Sequence, residues 1–232
     1  MKKATITLED VKKGIGKIKI GKQGGPDGIR GEMFKALGRS ELCKNVLVDS
    51  MNRTLETGEF SASWKKSKTS MIPKVAKPRA KEHRPIALTG VGYKLFMGII
   101  KEKLIQQVMS DVRVGYLQAG FTSGRRMEEN LFILNYCVEE SYKSGTQLVA
   151  VDYMKAFDSV NRGALVRVLK YYKCDPRIIS MLVSLYRGDS TDIFREGRYM
   201  GSVEIEKGIR QGCTGSPQLF IMAIGVIIEQ LV

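Results

Sequence analysis

The sequence predicts an α+β fold, and three observations support this prediction. Segments with helical spacing of apolar residues alternate irregularly with short β-type runs along the 232 residues. One of these runs, residues 147–153, is almost continuously apolar, as is typical of a strand buried on both faces. Hydrophobic residues make up 43% of the chain and charged residues 27%, which is ordinary for a folded protein and excludes a disordered or collagen-like one.

The N-terminal part is predicted to be helical. Thr7, with Asp10 three residues later, caps a short helix that runs into a Lys- and Gly-rich loop. Residues 24–28, Gly-Gly-Pro-Asp-Gly, are a dense turn signal, and helical spacing resumes after them through Leu37. A further helix is expected over about 40–57. Its predicted inward-facing residues are Leu42, Val46, Leu47 and Leu55.

The middle of the chain is strongly basic. Residues 60–94 contain nine Lys and Arg against a single acid, Glu82. Residues 69–72 and 85–88 are β-type runs flanked by proline and basic residues, which predicts extended arms. A helix is predicted over 92–109, and another after Ser123-Gly124. The second is expected to turn Leu131, Leu134 and Val138 inward.

The C-terminal part alternates between both types of element. After the predicted buried strand at 147–153, helices are expected near 161–172 and 176–187. A hairpin follows, with strands at 192–195 and 199–206 joined at Glu196-Gly197-Arg198. Residues 208–215 form a Gly-rich loop, and Ser216 with Pro217 opens a last apolar helix.

Composition excludes several classes of site. The four cysteines, widely spaced at positions 43, 137, 174 and 213, do not pair into a zinc knuckle, and His83 is the only histidine. A disulfide framework and imidazole-based catalysis are equally disfavoured, so any metal chemistry must use carboxylates. The formal charge of +14 indicates a polyanionic partner, with nucleic acid favoured over an anionic membrane surface.

The chain has no obvious membrane or export segment. Its longest apolar run, residues 219–228, is too short to span a bilayer, and the N-terminus lacks the apolar core of a signal peptide. We therefore expect an intracellular protein without a membrane partner. The sequence does not distinguish a nuclear from a cytoplasmic location, nor does it predict the oligomeric state.

Asp152 is the first candidate for chemistry, because a carboxylate at the end of a buried strand is costly unless it is paired or binds a cation. Mg²⁺, which takes carboxylates and substrate phosphates, suits a chain with one histidine. The alternative role for Asp152, a helix cap, is equally compatible with the spacing.

Asp158 lies too far from Asp152 along the chain for the two to share a two-metal centre, and a capping role near Asn161 is favoured for Asp158. Phe157, taken alone, is typical of a core aromatic.

Taken together, these segments resemble the reverse transcriptases of non-LTR (LINE-type) retrotransposons. Asp152-Tyr-Met-Lys-Ala-Phe157 is followed some fifty residues later by Gln211-Gly212-Cys-Thr-Gly-Ser216-Pro217. The upstream motifs occur in the same order as in that family. They are Gly25-Pro26-Asp27-Gly28-Ile29, then Trp64 with Met71-Ile72-Pro73-Lys74 and Arg84-Pro85-Ile86-Ala87-Leu88, then Gln118-Ala-Gly-Phe121 with Gly124-Arg125 and Glu129-Asn130.

The resemblance implies a right-hand polymerase with fingers at 24–145 and a partial palm at 146–232, preceded by a basic segment at 1–23. Asp152 and the main-chain carbonyl of Tyr153 would bind Mg²⁺ or Mn²⁺, which would activate the primer 3′-hydroxyl and stabilise the leaving pyrophosphate. Phe157 would exclude a ribose 2′-hydroxyl. The residues that would hold the incoming nucleotide are Lys74, Arg84, Phe157, Gln211 and Gly212. Those that would contact nucleic acid are Gly124, Arg125, Ser216 and Pro217. The implied partners are an RNA template, a DNA primer and deoxynucleoside triphosphates.

Two departures from the family pattern bear on activity. Cys213-Thr214-Gly215 replaces the Asp-Pro-Leu-like triplet of many relatives, and the 232 residues contain no aromatic-Ala-Asp-Asp motif. We therefore expect the thumb to be absent and this chain to bind a primer–template in a salt-dependent way without extending it. The alternatives are a non-catalytic nucleic-acid-binding remnant and a maturase-type intron-encoded protein.

The charge is distributed unevenly in a way that fits this expectation. Residues 1–126 hold 26 Lys and Arg against 11 Asp and Glu, or +15, whereas residues 127–232 hold 12 against 13, or −1. The basic excess therefore lies wholly in the predicted fingers and the segment before them.

Overall fold

The computed structural model describes residues 3–77, 79, 82–108 and 118–230, and in them helices and one small sheet are mixed. The helices are α1 (Leu8–Lys17), α2 (Gly31–Leu37), α3 (Glu41–Thr57), α4 (Ala62–Lys65), α5 (Val91–Val108), α6 (Met127–Ser144), α7 (Ala156–Ser159), α8 (Arg162–Tyr171), α9 (Pro176–Tyr186) and α10 (Ser216–Glu229). The strands are β1 (Lys66–Pro73), β2 (His83–Leu88), β3 (Ser190–Arg195) and β4 (Arg198–Glu204). The α and β mixture that the sequence predicts is confirmed.

The sheet has four strands in the order β2-β1-β3-β4. β1 pairs antiparallel with β2 and parallel with β3, while β3 and β4 form the predicted antiparallel hairpin. Thr69 of β1 and Thr191 of β3 are buried and share a hydrogen bond of 2.7 Å between their hydroxyl groups. The sheet thus joins the predicted basic arm to the hairpin more than a hundred residues later.

The core is centred on α5 and α9. Tyr93, Phe96 and Ile100 of α5 are fully buried. They lie in one hydrophobic cluster with Ile178, Met181, Leu182 and Leu185 of α9. Trp64 packs on Phe96 with their ring centroids 5.4 Å apart, which fixes α4 and the start of β1 against α5. This packing holds the sheet on the helical core.

Local signals predict several helix ends correctly. Thr7 accepts the N–H of Asp10, and the Asp10 carboxylate accepts the N–H of Thr7, which forms a complete capping box at the start of α1. Ser40 caps α3, and Pro217 lies in the first turn of α10. In each case the stabilising contact is local, so the sequence alone contains the information.

The predicted inner face of α3 is confirmed in part, and that of α6 is not buried. Leu55 is buried and Leu47 is half-buried against the core, but Leu42 and Val46 are 75% and 58% exposed, because α3 packs against α1 and α9 through a side that includes Met51 and Leu55. α6 buries none of its residues, and Leu131 and Leu134 of this helix are about half exposed. Apolar spacing marks a stripe on a helix, but it does not determine which neighbour covers that stripe.

The predicted buried strand at 147–153 is also wrong. These residues form no strand, and each of them is exposed, including Val149 at 83% and Val151 at 73%. A strand is buried by its neighbours, and β1 to β4 all lie in a sheet that does not include this segment.

None of the helices in the described part of the chain is long and apolar enough to cross a membrane.

Candidate functional site

Lys74 and Arg84 lie at the loop end of the hairpin formed by β1 and β2, where the chain passes from one strand to the other. Arg84 is paired with Ile72 in the strand register, and the N–H of Lys74 donates to the carbonyl of Glu82 at 2.9 Å. Both cationic side chains are exposed, and neither forms an ion pair with any residue the structure describes. Two uncompensated cations at one end of a hairpin are able to bind a phosphate group.

The Gly-rich loop lies directly against β2. The N–H of Ala87 donates to the carbonyl of Gln211 at 3.0 Å. Gly212 has φ +103°, and a Cβ atom at this position would lie 2.6 Å from the carbonyl oxygen of Ala87. Only glycine allows both this backbone conformation and this approach. The fold therefore brings Gln211 and Gly212 to the strand that carries Arg84, as a shared nucleotide pocket would require.

The buried side chain of Arg210 holds the same loop against the rest of the fold. It is only 4% exposed, and it donates to Asp189 and to the carbonyls of Trp64 at 2.8 Å and Lys65 at 2.7 Å. Its guanidinium also lies 5.2 Å from the ring centre of Tyr93. Burial alone would lower the pKa of Arg210, but Tyr93 and the hydrogen-bonded Asp189 raise it, so the side chain stays charged.

A second arginine completes this buried network. Arg162 donates to the other carboxylate oxygen of Asp189 at 3.0 Å and to the carbonyl of Gly208 at 2.9 Å. Asp189 is 1% exposed, so its charge is balanced entirely by the two arginines. Sequence reasoning missed this network. A signal was present in the arginine that directly precedes Gln211-Gly212, but its partner is 21 residues away along the chain.

Phe157 lies beside the loop and contacts the predicted template-binding segment. Its ring stacks on Phe220 with a centroid separation of 5.0 Å and meets Phe121 edge-on at 6.2 Å. Its carbonyl accepts the N–H of Ile209 at 3.0 Å. Phe157 is half-buried and packs against the hydrophobic core, so part of the residue remains accessible to solvent. Position and exposure both suit contact with a bound nucleotide.

The remaining predicted nucleic-acid contacts lie at the turn before α6 and at the start of α10. Gly124 has φ +82° and Arg125 lies 3.8 Å from Glu129, both at the exposed turn before α6. At the start of α10, Ser216 is fully buried and Pro217 half-buried. Gly124 and Arg125 are therefore more accessible to a bound nucleic acid than Ser216 and Pro217.

Asp152 and Tyr153 are exposed and precede this group along the chain. Asp152 does not cap a helix, because Lys155 occupies the N-cap position of α7. The capping role expected of Asp158 is also wrong, since Asn161 caps α8 through the N–H of Ala164 at 2.9 Å. Asp158 instead lies where its backbone is closely approached by Gly208.

The described residues do not complete a metal site around Asp152. Within these ranges no three His, Cys, Asp or Glu side chains lie close enough together to hold a metal ion. Asp152 offers one carboxylate, whereas Mg²⁺ in phosphate-handling sites takes one or two together with substrate oxygens. The carboxylate is thus accessible to an ion but does not form a binding site with its described neighbours.

Comparison with known proteins matches the chain to one family. A family model described as reverse transcriptase (RNA-dependent DNA polymerase) matches residues 47–232, which include every predicted site residue. The chain is 26% identical over 226 residues to the transposon TX1 uncharacterized 149 kDa protein of Xenopus laevis, covering 94% of this chain and 17% of that protein. It is 24% identical over 231 residues to the Pol polyprotein from the type-2 retrotransposable element R2DM of Drosophila melanogaster, covering 98% and 21%.

A third relative carries an enzymatic name. The RNA-directed DNA polymerase from mobile element jockey of Drosophila melanogaster is 25% identical over 226 residues, covering 94% of this chain and 24% of that protein. The chain therefore spans about a fifth of the length of the curated relatives it matches.

Proposed function

The chain belongs to the reverse transcriptase (RNA-dependent DNA polymerase) family, and on this premise we propose that it binds a DNA primer on an RNA template and selects the incoming deoxynucleoside triphosphate. The source would be a non-LTR retrotransposon, in keeping with the retrotransposable-element names of its relatives. The observation that carries the proposal is the contact between the Gln211–Gly212 loop and the strand of Arg84.

The proposed nucleotide pocket lies between this loop and the basic hairpin end. Lys74 and Arg84 would bind the triphosphate, since both cations are exposed and lack a charged partner among the described residues. Gln211 and Gly212 would line the side next to Ala87, where the glycine allows close backbone approach. Phe157 would meet the sugar, and its bulk would disfavour a 2′-hydroxyl.

The template would pass over the turn before α6. Gly124 and Arg125 are exposed there, and Phe121 links this turn to Phe157. Ser216 and Pro217 would support the loop from the start of α10. Residues 24–145 would then act as fingers and 146–232 as part of the palm, following a basic segment at 1–23, in an intracellular protein.

Reverse transcriptases use divalent metal ions, and for this chain we propose Mg²⁺, with Mn²⁺ as a substitute. Asp152 would supply one carboxylate ligand and Tyr153 its main-chain carbonyl. The ion would supply charge stabilisation at the phosphates. That the 232-residue chain binds a primer–template without extending it stays a prediction.

The test is formation of a template-directed ternary complex. A DNA primer that ends in a dideoxynucleotide is annealed to an RNA template, bound to the chain, and challenged with competitor in the presence of Mg²⁺. The complementary deoxynucleotide should slow dissociation, whereas the three mismatched ones should not. Equal effects of all four nucleotides would contradict the proposal and favour a non-catalytic nucleic-acid-binding protein.

Matched variants locate the effect. Lys74→Gln with Arg84→Gln should abolish the slowing, because the triphosphate loses both cations. Lys66→Gln with Arg198→Gln removes the same charge from exposed residues elsewhere on the sheet and should leave the slowing intact. An unblocked primer in the same mixture tests the expected lack of extension, and incorporation that disappears in Asp152→Ala would refute it.

A further inference from the structure

A concave groove with a strong positive charge lies between α1 and α5, on residues that the proposed function does not use. Its volume is about 430 Å³, and its lining includes six lysines against two acids. We call it the lysine groove. Its lysines are Lys13, Lys17, Lys19, Lys22, Lys94 and Lys101.

The helices approach closely enough to form one continuous groove. Gly14 of α1 faces α5, and a Cβ atom there would lie 2.4 Å from the Cδ1 atom of Leu95. Leu95 and Ile99 are buried and form an apolar floor. The glycine therefore sets the two helices side by side, with a lysine-bearing edge on each.

The positive charge of the groove is largely uncompensated. Glu102 is engaged by Lys17 at 3.1 Å, and Asp10 by Lys103 at 2.7 Å in addition to its role in the capping box. None of the other five groove lysines forms an ion pair within the described part of the chain. Like charges crowded around one concavity repel each other unless an anion lies among them.

The lysines lie in rows along the two helices. Lys13 and Lys17 are one turn apart on α1, or about 6 Å along its axis, and Lys94 and Lys101 are separated by about 10 Å on α5. A row of flexible point charges matches the repeating phosphates of a nucleic-acid strand better than a single compact anion. The lining contains no aromatic side chain on which a base could stack. Recognition would therefore depend on the phosphates and not on the sequence of bases.

The groove lies next to the Gly-rich loop of the proposed nucleotide pocket. Thr214, which is part of its lining, follows Gln211-Gly212-Cys213 along the chain. Lys22 and Gln23, at another part of the lining, lead directly into the turn at 24–28. A strand bound at the proposed pocket could continue into the groove without leaving the protein surface.

We propose that the lysine groove binds the phosphate backbone of a single-stranded stretch of nucleic acid, with the RNA template as its occupant. α1, which forms one side of the groove, precedes residues 47–232, the part of the chain that the reverse transcriptase family model matches. α5, which forms the other side, lies within that part. The groove would thus be an additional binding surface, built where the N-terminal helix joins the polymerase domain. The proposal rests on the proposed function only for the identity of the occupant.

Equilibrium binding of the 232-residue chain to a fluorescein-labelled 20-nucleotide oligouridylate tests the proposal. Lys13→Gln, Lys94→Gln and Lys101→Gln are combined in one variant. Loss of three charge contacts should weaken binding about tenfold near 0.1 M salt. The slope of log K against log salt should become shallower by about 2, since each phosphate contact on a single strand contributes about 0.7.

The matched control combines Lys170→Gln, Lys173→Gln and Lys207→Gln, which removes the same charge from exposed lysines outside the groove. It should leave affinity within about twofold and the slope unchanged. Equal losses of affinity in both variants would overturn the proposal, because the net charge of the chain would then explain RNA binding. Unchanged binding in the groove variant would overturn it too, while leaving the proposed function intact. A chain that binds no RNA would overturn both.

Lysine acylation of the unmodified chain, mapped by mass spectrometry, provides a test that needs no variant. Oligouridylate should protect the groove lysines and leave Lys170 and Lys207 reactive. An oligodeoxythymidylate of equal length should protect them to a similar extent, since only phosphates are contacted. Protection by an acidic glutamate peptide but not by RNA would overturn the proposal in favour of a protein partner.

Discussion

Replacing Gly212 with alanine should separate the Gly-rich loop from β2. The added Cβ atom would lie 2.6 Å from the Ala87 carbonyl oxygen, so one of the two backbones must move. A side chain at φ +103° costs about 1–2 kcal/mol in backbone strain. Movement of the loop also breaks the 3.0 Å hydrogen bond from Ala87 N–H to the Gln211 carbonyl, which contributes about 1 kcal/mol. The total is about 2–3 kcal/mol.

Gly197→Ala measures the cost of backbone strain alone, without a steric contact of the added Cβ atom. Gly197 has φ +78°, but a Cβ atom there would meet nothing within 4 Å. This variant should therefore lose only the strain of about 1–2 kcal/mol.

Thermal unfolding followed by circular dichroism compares the two variants. At roughly 3 °C per kcal/mol for a chain of this length, Gly212→Ala should lower Tm by about 6–9 °C and Gly197→Ala by about 3–6 °C, so the first loss should exceed the second by about 3 °C. In the ternary-complex assay, only Gly212→Ala should also weaken the effect of the complementary nucleotide. Equal Tm losses, or a nucleotide effect that survives in Gly212→Ala, would refute the close packing of the loop on β2.

Three further predictions test other parts of the structure. Arg210→Met should reduce the free energy of unfolding by about 3–5 kcal/mol in urea, because it leaves Asp189 with one arginine; an unchanged value would contradict the buried network. Phe157→Ala should increase the affinity of the ternary complex for a ribonucleoside triphosphate relative to the deoxy form, and unchanged sugar selectivity would argue against contact with the sugar. Burial alone would raise the pKa of Asp175, but hydrogen bonds from Arg177 and from Ala4 N–H outweigh it and hold that pKa below its usual range. This stabilisation is present above about pH 4 and lost as the pH falls further, so Asp175→Asn should flatten the decline in unfolding free energy below pH 4; an equally steep decline would exclude this carboxyl as its source.

The parts of the fold that depend on local contacts could be predicted from the sequence. The capping box at Thr7, the helix start at Ser216-Pro217 and the hairpin turn at Glu196-Gly197 each involve residues within a few positions of one another. Both turn residues have positive φ, as the tight turn requires. Such signals operate before any tertiary structure forms.

The predictions that failed depend on distant neighbours. Residues 147–153 have the composition of a buried strand, but β-type composition describes suitability for a sheet and does not provide one. α6 likewise has apolar residues at helical spacing without burying them. In both cases the pattern in the sequence is real, and the missing information is the identity of the packing partner.

The site was predicted in part for the same reason. The motifs that contain Arg84 and Gln211 were identified by resemblance, but their contact through Ala87 joins residues far apart in the chain. The Arg210–Asp189 pair depends on the same long-range packing, and neither residue was expected to hold the loop. Residue types indicate which side chains carry chemistry, whereas the fold decides which of them meet.

Photo-cross-linking of a nucleotide to the chain tests the central claim most directly. A photoreactive deoxynucleoside triphosphate is added to the chain bound to an RNA template and a dideoxy-terminated primer, irradiated, and mapped by peptide mass spectrometry. The label should fall on residues 74–88 or 208–217, and only when the nucleotide complements the next template base. Labelling that is independent of the template, or that falls mainly on α8 and α9, would contradict a template-directed nucleotide pocket between the basic hairpin and the Gln211–Gly212 loop.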